Sequence, residues 1–121
     1  MALIKIEEKE NFCVAFLEGD FVSTDDINLL RSTLKELSQK ENNRLIINLS
    51  KTNFLSSASL GVLLSGNAMF EKNDGTIIVC CASDYIENLF KITKLNLIFK
   101  IFQTQYDAER YLKQISKEER K

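Results

Sequence analysis

The chain has no histidine, no proline and no tryptophan, and among its 121 residues it holds only four glycines and three cysteines. Without histidine the commonest general base is missing, and neither a Ser–His nor a Cys–His nucleophile pair can form. The glycines, at positions 19, 61, 66 and 75, do not cluster into a phosphate cradle. No G-x-S-x-G, G-x-x-x-x-G-K-[ST] or G-x-G-x-x-G pattern occurs. The paired carboxylates Asp25-Asp26 and Glu118-Glu119 fall in surface-like segments. Nothing nominates a convergent acid–base pair, so the chain reads as a non-enzyme with no cofactor.

Cys13, Cys80 and Cys81 are too few and too irregularly spaced for a disulfide framework. Adjacent residues of a strand point to opposite faces, so Cys80 and Cys81 are not expected to converge on one metal ion. All three read as buried free thiols. Sixteen basic against seventeen acidic residues give a net charge of −1, without a basic face, which excludes the footprint of a nucleic-acid binder. No apolar run approaches the ~20 residues that span a bilayer. The start Met1-Ala2-Leu3-Ile4-Lys5 lacks the basic region and apolar run of a signal peptide. A reducing cytoplasm is the expected address, with no membrane insertion.

What is present is ordinary globular material, 45% hydrophobic and 27% charged, enough for one core without staples. A single domain over 1–121 is expected, with the mixed-sign tail 116–121 fraying. Alternation predicts a strand over 3–7 and a second over 11–17, joined by a hairpin turn at Lys9-Glu10-Asn11 and broken at Gly19-Asp20. Ser23 or Thr24 caps a helix whose first turn holds Asp25 and Asp26. Ile27, Leu30, Leu34 and Leu37 form its inner face, and the helix ends at Glu41-Asn42-Asn43. The apolar run 45–49 suits a central strand covered on both faces. A loop over 50–54 follows, then a helix beginning near Ser56 or Ser57 with Leu60, Leu63, Leu64 and Ala68 inward. Asn73-Asp74-Gly75 turns into a strand over 76–81, and Ser83-Asp84 caps a short helix carrying Ile86, Leu89 and Phe90. A last strand over 98–102 and a helix over 107–115 close the chain. Strands separated by helices give an α/β fold, a small sheet of about five strands with about four helices.

The serine cluster Ser56-Ser57-Ala58-Ser59 lies between a buried strand and an apolar helix. A serine there can cap the exposed amides. A phosphorylated one would be held by those amides and the positive end of the dipole. Ser56 is read first as a cap, Ser59 as an exposed first-turn residue, and Phe54, Leu55 and Leu60 as core or near-core. The other phenylalanines read as packing, with one aromatic of the alternating run 99–102 left at the sheet edge, where a homodimer contact could form.

The segment resembles the STAS domain family of bacterial anti-sigma factor antagonists. Asn48-Leu49-Ser50 matches the family's strand end, and Phe54-Leu55-Ser56-Ser57-Ala58-Ser59-Leu60-Gly61 matches its helix opening. Asn73-Asp74-Gly75, Leu89-Phe90-Lys91-Ile92-Thr93-Lys94-Leu95, Ile98-Phe99 and Tyr106-Asp107-Ala108 match later family landmarks in order. The resemblance implies that Ser57 is the target of a serine kinase that is also the anti-sigma factor. It further implies that Ser56, Ser57, Ala58, Ser59, Leu60 and Gly61 form the surface that binds this partner. Four positions depart from the family pattern. Ser56 and Asn48 stand where the family has Asp, and Ser59 and Lys94 where it has Gly. The departures at the helix opening suit the alternative of an unphosphorylated STAS scaffold or adaptor subunit of a signalling or transport complex. If position 94 needs a positive φ, lysine there costs about 1 kcal/mol.

Overall fold

A computed structural model describes residues 2–119, with side chains described as far as Ile115. The tail expected to fray, 116–121, falls on side chains outside that set, and residues 120 and 121 lie outside it altogether. β1 (Leu3–Glu8) and β2 (Cys13–Phe21) form an antiparallel hairpin. Its turn is closed by the Lys9 amide, which donates to the Phe12 carbonyl at 2.8 Å. There follow α1 (Thr24–Ser38), β3 (Arg44–Leu55), α2 (Ser57–Lys72), β4 (Thr76–Cys80) and α3 (Asp84–Ile92). A 3-10 turn at Leu95–Leu97, β5 (Ile101–Phe102) and α4 (Gln105–Glu119) complete the chain.

The sheet order is β1-β2-β3-β4-β5, with β2 to β5 mutually parallel. Each parallel strand is added beside the one before it, so crossovers of one hand put α1, α2 and α3 on the same face. Accordingly Leu30 and Leu34 of α1, Leu63 and Phe70 of α2, and Ile86 and Phe90 of α3 share one core with Leu45, Ile47 and Leu49 of β3. The opposite face is covered by α4, whose Ala108 and Leu112 pack on Val14, Ile46, Ile78 and Cys80. The run 45–49 is thus buried on both sides, as its composition requires.

Several local expectations change in the folded chain. β2 does not stop at Leu17. Gly19 takes φ 101° and the strand continues to Phe21 through register shifts. β3 correspondingly runs through the expected loop to Leu55, because Glu18 to Phe21 supply a ladder for Lys51 to Leu55. The Thr52 hydroxyl is buried and donates to the Leu17 carbonyl at 2.7 Å, which ties that extension down. α1 ends at Ser38, before the expected stop. On α2 the inner stripe is Leu60, Val62, Leu63, Gly66 and Phe70, while Leu64 and Ala68 point outward. β5 is only two residues long, since the amides of Ile98 and Phe99 turn back onto the Leu95 carbonyl after the 3-10 turn instead of extending. Phe102 is half-buried against Tyr111 at 5.5 Å between ring centroids, so the run 99–102 leaves no bare aromatic at the edge. Lys94 adopts φ 63°, the left-handed conformation its glycine-like position implied.

Candidate functional site

β3 delivers the serine cluster to the C-terminal end of the parallel sheet, where the Ser56 amide donates to the Phe21 carbonyl at 3.4 Å. Ser56 is extended at φ −82° and ψ 168°, and is the N-cap of α2. Its Oγ accepts the Ser59 amide at 3.1 Å. The Ser59 hydroxyl in return donates to the Ser56 carbonyl at 2.8 Å, and the two hydroxyl oxygens lie 3.3 Å apart. A cap of this kind satisfies one of the amides that a helix start leaves unpaired. Ser59 is fully buried, contrary to the exposed position expected for it, because its hydroxyl is turned inward onto the cap.

Two of the three serines are therefore committed to each other. Ser57, the first residue of the helix, is exposed, and its hydroxyl has no partner among the described residues. Of the residues singled out at the helix start, Ser57, Ala58 and Gly61 lie on the outside, at spacings that place them on one helical face. Leu64 extends that face and is 43% exposed. Ser59 and Leu60 are buried, and Ser56 lies between. Leu60 supports the site from the core and is not open to a partner.

An aromatic pair flanks the helix start that sequence reasoning did not find. Phe54, expected in or near the core, is 37% exposed and stacks on Tyr85 of α3, itself 54% exposed, with centroids 6.2 Å apart. The cause is a bulge, since Gly19 pairs with Thr52 and Asp20 with Phe54, leaving Asn53 without an opposite number. An extra residue re-aims the side chains after it. No short-range pattern in β3 announces such a bulge.

Charge also sets α2 apart. The first turns of α1, α3 and α4 carry acidic residues, Asp25 and Asp26, Asp84 and Glu87, and Asp107, while that of α2 carries none. Its dipole is thus left without the anionic side chain that favours a helix N-terminus. Below the site, Asn48 is buried at the end of the apolar run. Its Nδ2 donates to Gln105 Oε1 at 2.8 Å, and its Oδ1 accepts the Ser50 amide at 2.9 Å. A neutral amide makes both bonds, and a carboxylate could not donate the first.

The chain has no histidine to activate the Ser57 hydroxyl. Among the described residues no group of three or more His, Cys, Asp or Glu is placed to hold a metal ion, and no helix is long and apolar enough to cross a membrane. The arrangement presents a hydroxyl that can receive a group delivered by another molecule.

The STAS domain family model matches residues 4–108. Several solved structures share the fold at low identity, among them the following three. A putative anti-sigma factor antagonist from Thermotoga maritima is 20% identical, with 91% of this chain and 94% of that one covered and a TM-score of 0.78. The Bacillus cell fate determinant SpoIIAA in its phosphorylated form is 17% identical over 91% of this chain and 99% of that one, with a TM-score of 0.71. A sulfate transporter family protein from Wolinella succinogenes is 13% identical over 86% of each chain, with a TM-score of 0.75.

Proposed function

The chain belongs to the STAS domain family, and on that premise we propose that it is a protein-binding switch of the anti-sigma factor antagonist type. In this reading the unmodified protein docks a serine kinase that is also an anti-sigma factor, in the cytoplasm, and thereby regulates transcription. The docking face is Ser57, Ala58 and Gly61, extended by Leu64 and by the Phe54–Tyr85 pair. Phosphorylation of Ser57 breaks the complex.

The observation that carries this reading is the division of labour among the serines. Ser56 and Ser59 are tied together in the cap, and Ser57 alone offers a free, exposed hydroxyl at the helix start. A phosphoryl group there adds nearly two negative charges and meets no acidic side chain in its own first turn. It is therefore tolerated by the free protein. In a complex the same group must be stripped of water against the partner, and desolvating it is costly.

The test is phosphosite mapping of the protein recovered from its own cells under growth and stress, followed by pull-down with Ser57→Asp. The expected result is a phosphate on Ser57 whose occupancy changes between conditions, and loss of the captured kinase by the Asp variant. Full partner binding by Ser57→Asp sinks the mechanism.

A second reading, an unphosphorylated scaffold or adaptor subunit, is favoured by Asn48. Its Nδ2 joins β3 to Gln105 of α4 and its Oδ1 holds the Ser50 amide within β3, both with neutral groups, a structural use for a position that is acidic in the family pattern. It predicts a stable complex indifferent to ATP and to Ser57→Ala.

A further inference from the structure

Cys80 ends β4, and Cys81 follows it at φ 64°, in the left-handed region that side chains rarely adopt. This turn cancels the alternation that would have placed the two side chains on opposite faces of a strand. The expectation that the two side chains lie on opposite faces is therefore overturned, and the Cys81 thiol donates to the Cys80 sulfur at 3.3 Å. Cys80 is fully buried, and Cys81 is half-buried at the end of the sheet. We propose that Cys80 and Cys81 are a reversible oxidation site, a vicinal dithiol that low-molecular-weight disulfides close into an internal disulfide.

The two thiols have different roles. Cys81 is reachable, so its thiolate attacks one sulfur of the small disulfide. A mixed disulfide forms on Cys81, and one small thiolate leaves and takes up a proton. Cys80 lies among Ile78, Ala108 and Leu112. Burial foremost, then the neighbouring Cys81 sulfur, holds its thiol protonated above the ordinary range. It is therefore a poor first attacker. Once the mixed disulfide stands beside it, Cys80 gives up its proton, attacks the Cys81 sulfur and expels the second small thiol. Two protein thiols are oxidised and one small disulfide is reduced to two thiols.

The geometry also makes the link reversible. Cα atoms joined by a trans peptide are about 3.8 Å apart, shorter than the roughly 4.4–6.8 Å of ordinary disulfides. The closed ring is strained, and strained disulfides are the labile, regulatory kind. Cys13 does not compete. It belongs to the core on the other face of the sheet, where its thiol points to the Asn42 carbonyl at 3.7 Å. Closure would act on the end of β4, where the Cys81 amide donates to the Phe102 carbonyl at 3.0 Å, and on the packing of α4 over Cys80.

The test is to equilibrate the full chain with graded mixtures of oxidised and reduced glutathione, quench with acid, alkylate under denaturing conditions, and measure intact and peptide masses. The wild-type protein is expected to lose two hydrogen atoms and to keep one alkylatable thiol, on Cys13, with dithiothreitol restoring all three. Cys80→Ala is expected to stop at a glutathione adduct on Cys81, and Cys81→Ala to leave Cys80 unmodified. Three alkylatable thiols in the oxidised wild type, a stable adduct on it, or a link through Cys13 or between chains would each overturn the proposal. The wild-type masses decide the matter even if a variant fails to fold.

Discussion

Leu34 of α1 occupies the space that a side chain on Gly66 of α2 would need. A Cβ on Gly66 would lie 2.6 Å from Leu34 Cδ1 and 3.3 Å from Leu34 Cβ. This close approach seats α2, and with it the exposed Ser57, against the rest of the fold. Gly66→Ala would gain up to about 1 kcal/mol of helix propensity, but overpacking a core costs about 1–3 kcal/mol. Leu34 is 1% exposed and has no room to retreat, so the clash wins. Gly66→Ala is expected to destabilise by about 1 kcal/mol in urea unfolding. Gly61→Ala is the control. Nothing lies within 4 Å of its added Cβ, and it should stabilise by up to about 1 kcal/mol.

The serines should separate in the same measurement. Ser56→Ala removes the acceptor for the Ser59 amide and is expected to cost about 1 kcal/mol. Ser57→Ala removes a hydroxyl with no partner among the described residues and should stay within about 0.5 kcal/mol of wild type. A large loss for Ser57→Ala, or none for Ser56→Ala, would contradict the assignment of cap and free hydroxyl.

Lys94 sits at φ 63° between α3 and the 3-10 turn. An L residue there costs roughly 1–2 kcal/mol, against the roughly 0.5–1 kcal/mol by which glycine's unfolded-state freedom opposes the swap. Lys94→Gly should therefore stabilise by up to about 1 kcal/mol, and Lys94→Val should destabilise, as thermal unfolding will report.

Glu8 and Lys40 form an ion pair at 2.7 Å across the groove between β1 and α1. The Lys40 hydrogen bond, then its charge, holds Glu8 below the ordinary value of 4.5. Glu8 in turn raises Lys40 above 10.5. The contribution of Glu8 is thus present above pH 4.5 and lost as pH falls through its lowered value. That of Lys40 is present below pH 10.5 and lost as pH rises through its raised value. Both groups are exposed, so the effect on unfolding is small, and the direct readout is the Glu8 carboxyl carbon shift in NMR. Its midpoint should lie below 4.5 and return to the ordinary value in Lys40→Met. A midpoint unmoved by Lys40→Met would refute the pairing.

The features legible in the sequence are those governed by local chemistry. The caps Ser23, Ser56 and Ser83 each accept the amide three residues on, because only the cap and its first turn need to agree. The inner face of α1 follows from spacing alone, and the apolar run 45–49 is as buried as its composition demands. The α2 stripe is not marked by apolar residues alone. Gly66 faces inward without an apolar side chain to mark it, and the apolar Leu64 faces outward.

The family, the α/β order and the serine-bearing helix were thus determined by the sequence itself, through periodicity, caps and an ordered set of short motifs. The tertiary structure alone decided which serine is free, where Phe54 points and whether Cys80 meets Cys81. Each of these depends on partners distant in the chain or on one residue's backbone turn. The bulge opposite Asp20 re-aims Phe54, the packing of the helix start buries Ser59, and the left-handed turn at Cys81 brings the two sulfurs together. A strand's side chains change faces with a shift of a single residue, and no run of local residues shows where such a shift will fall.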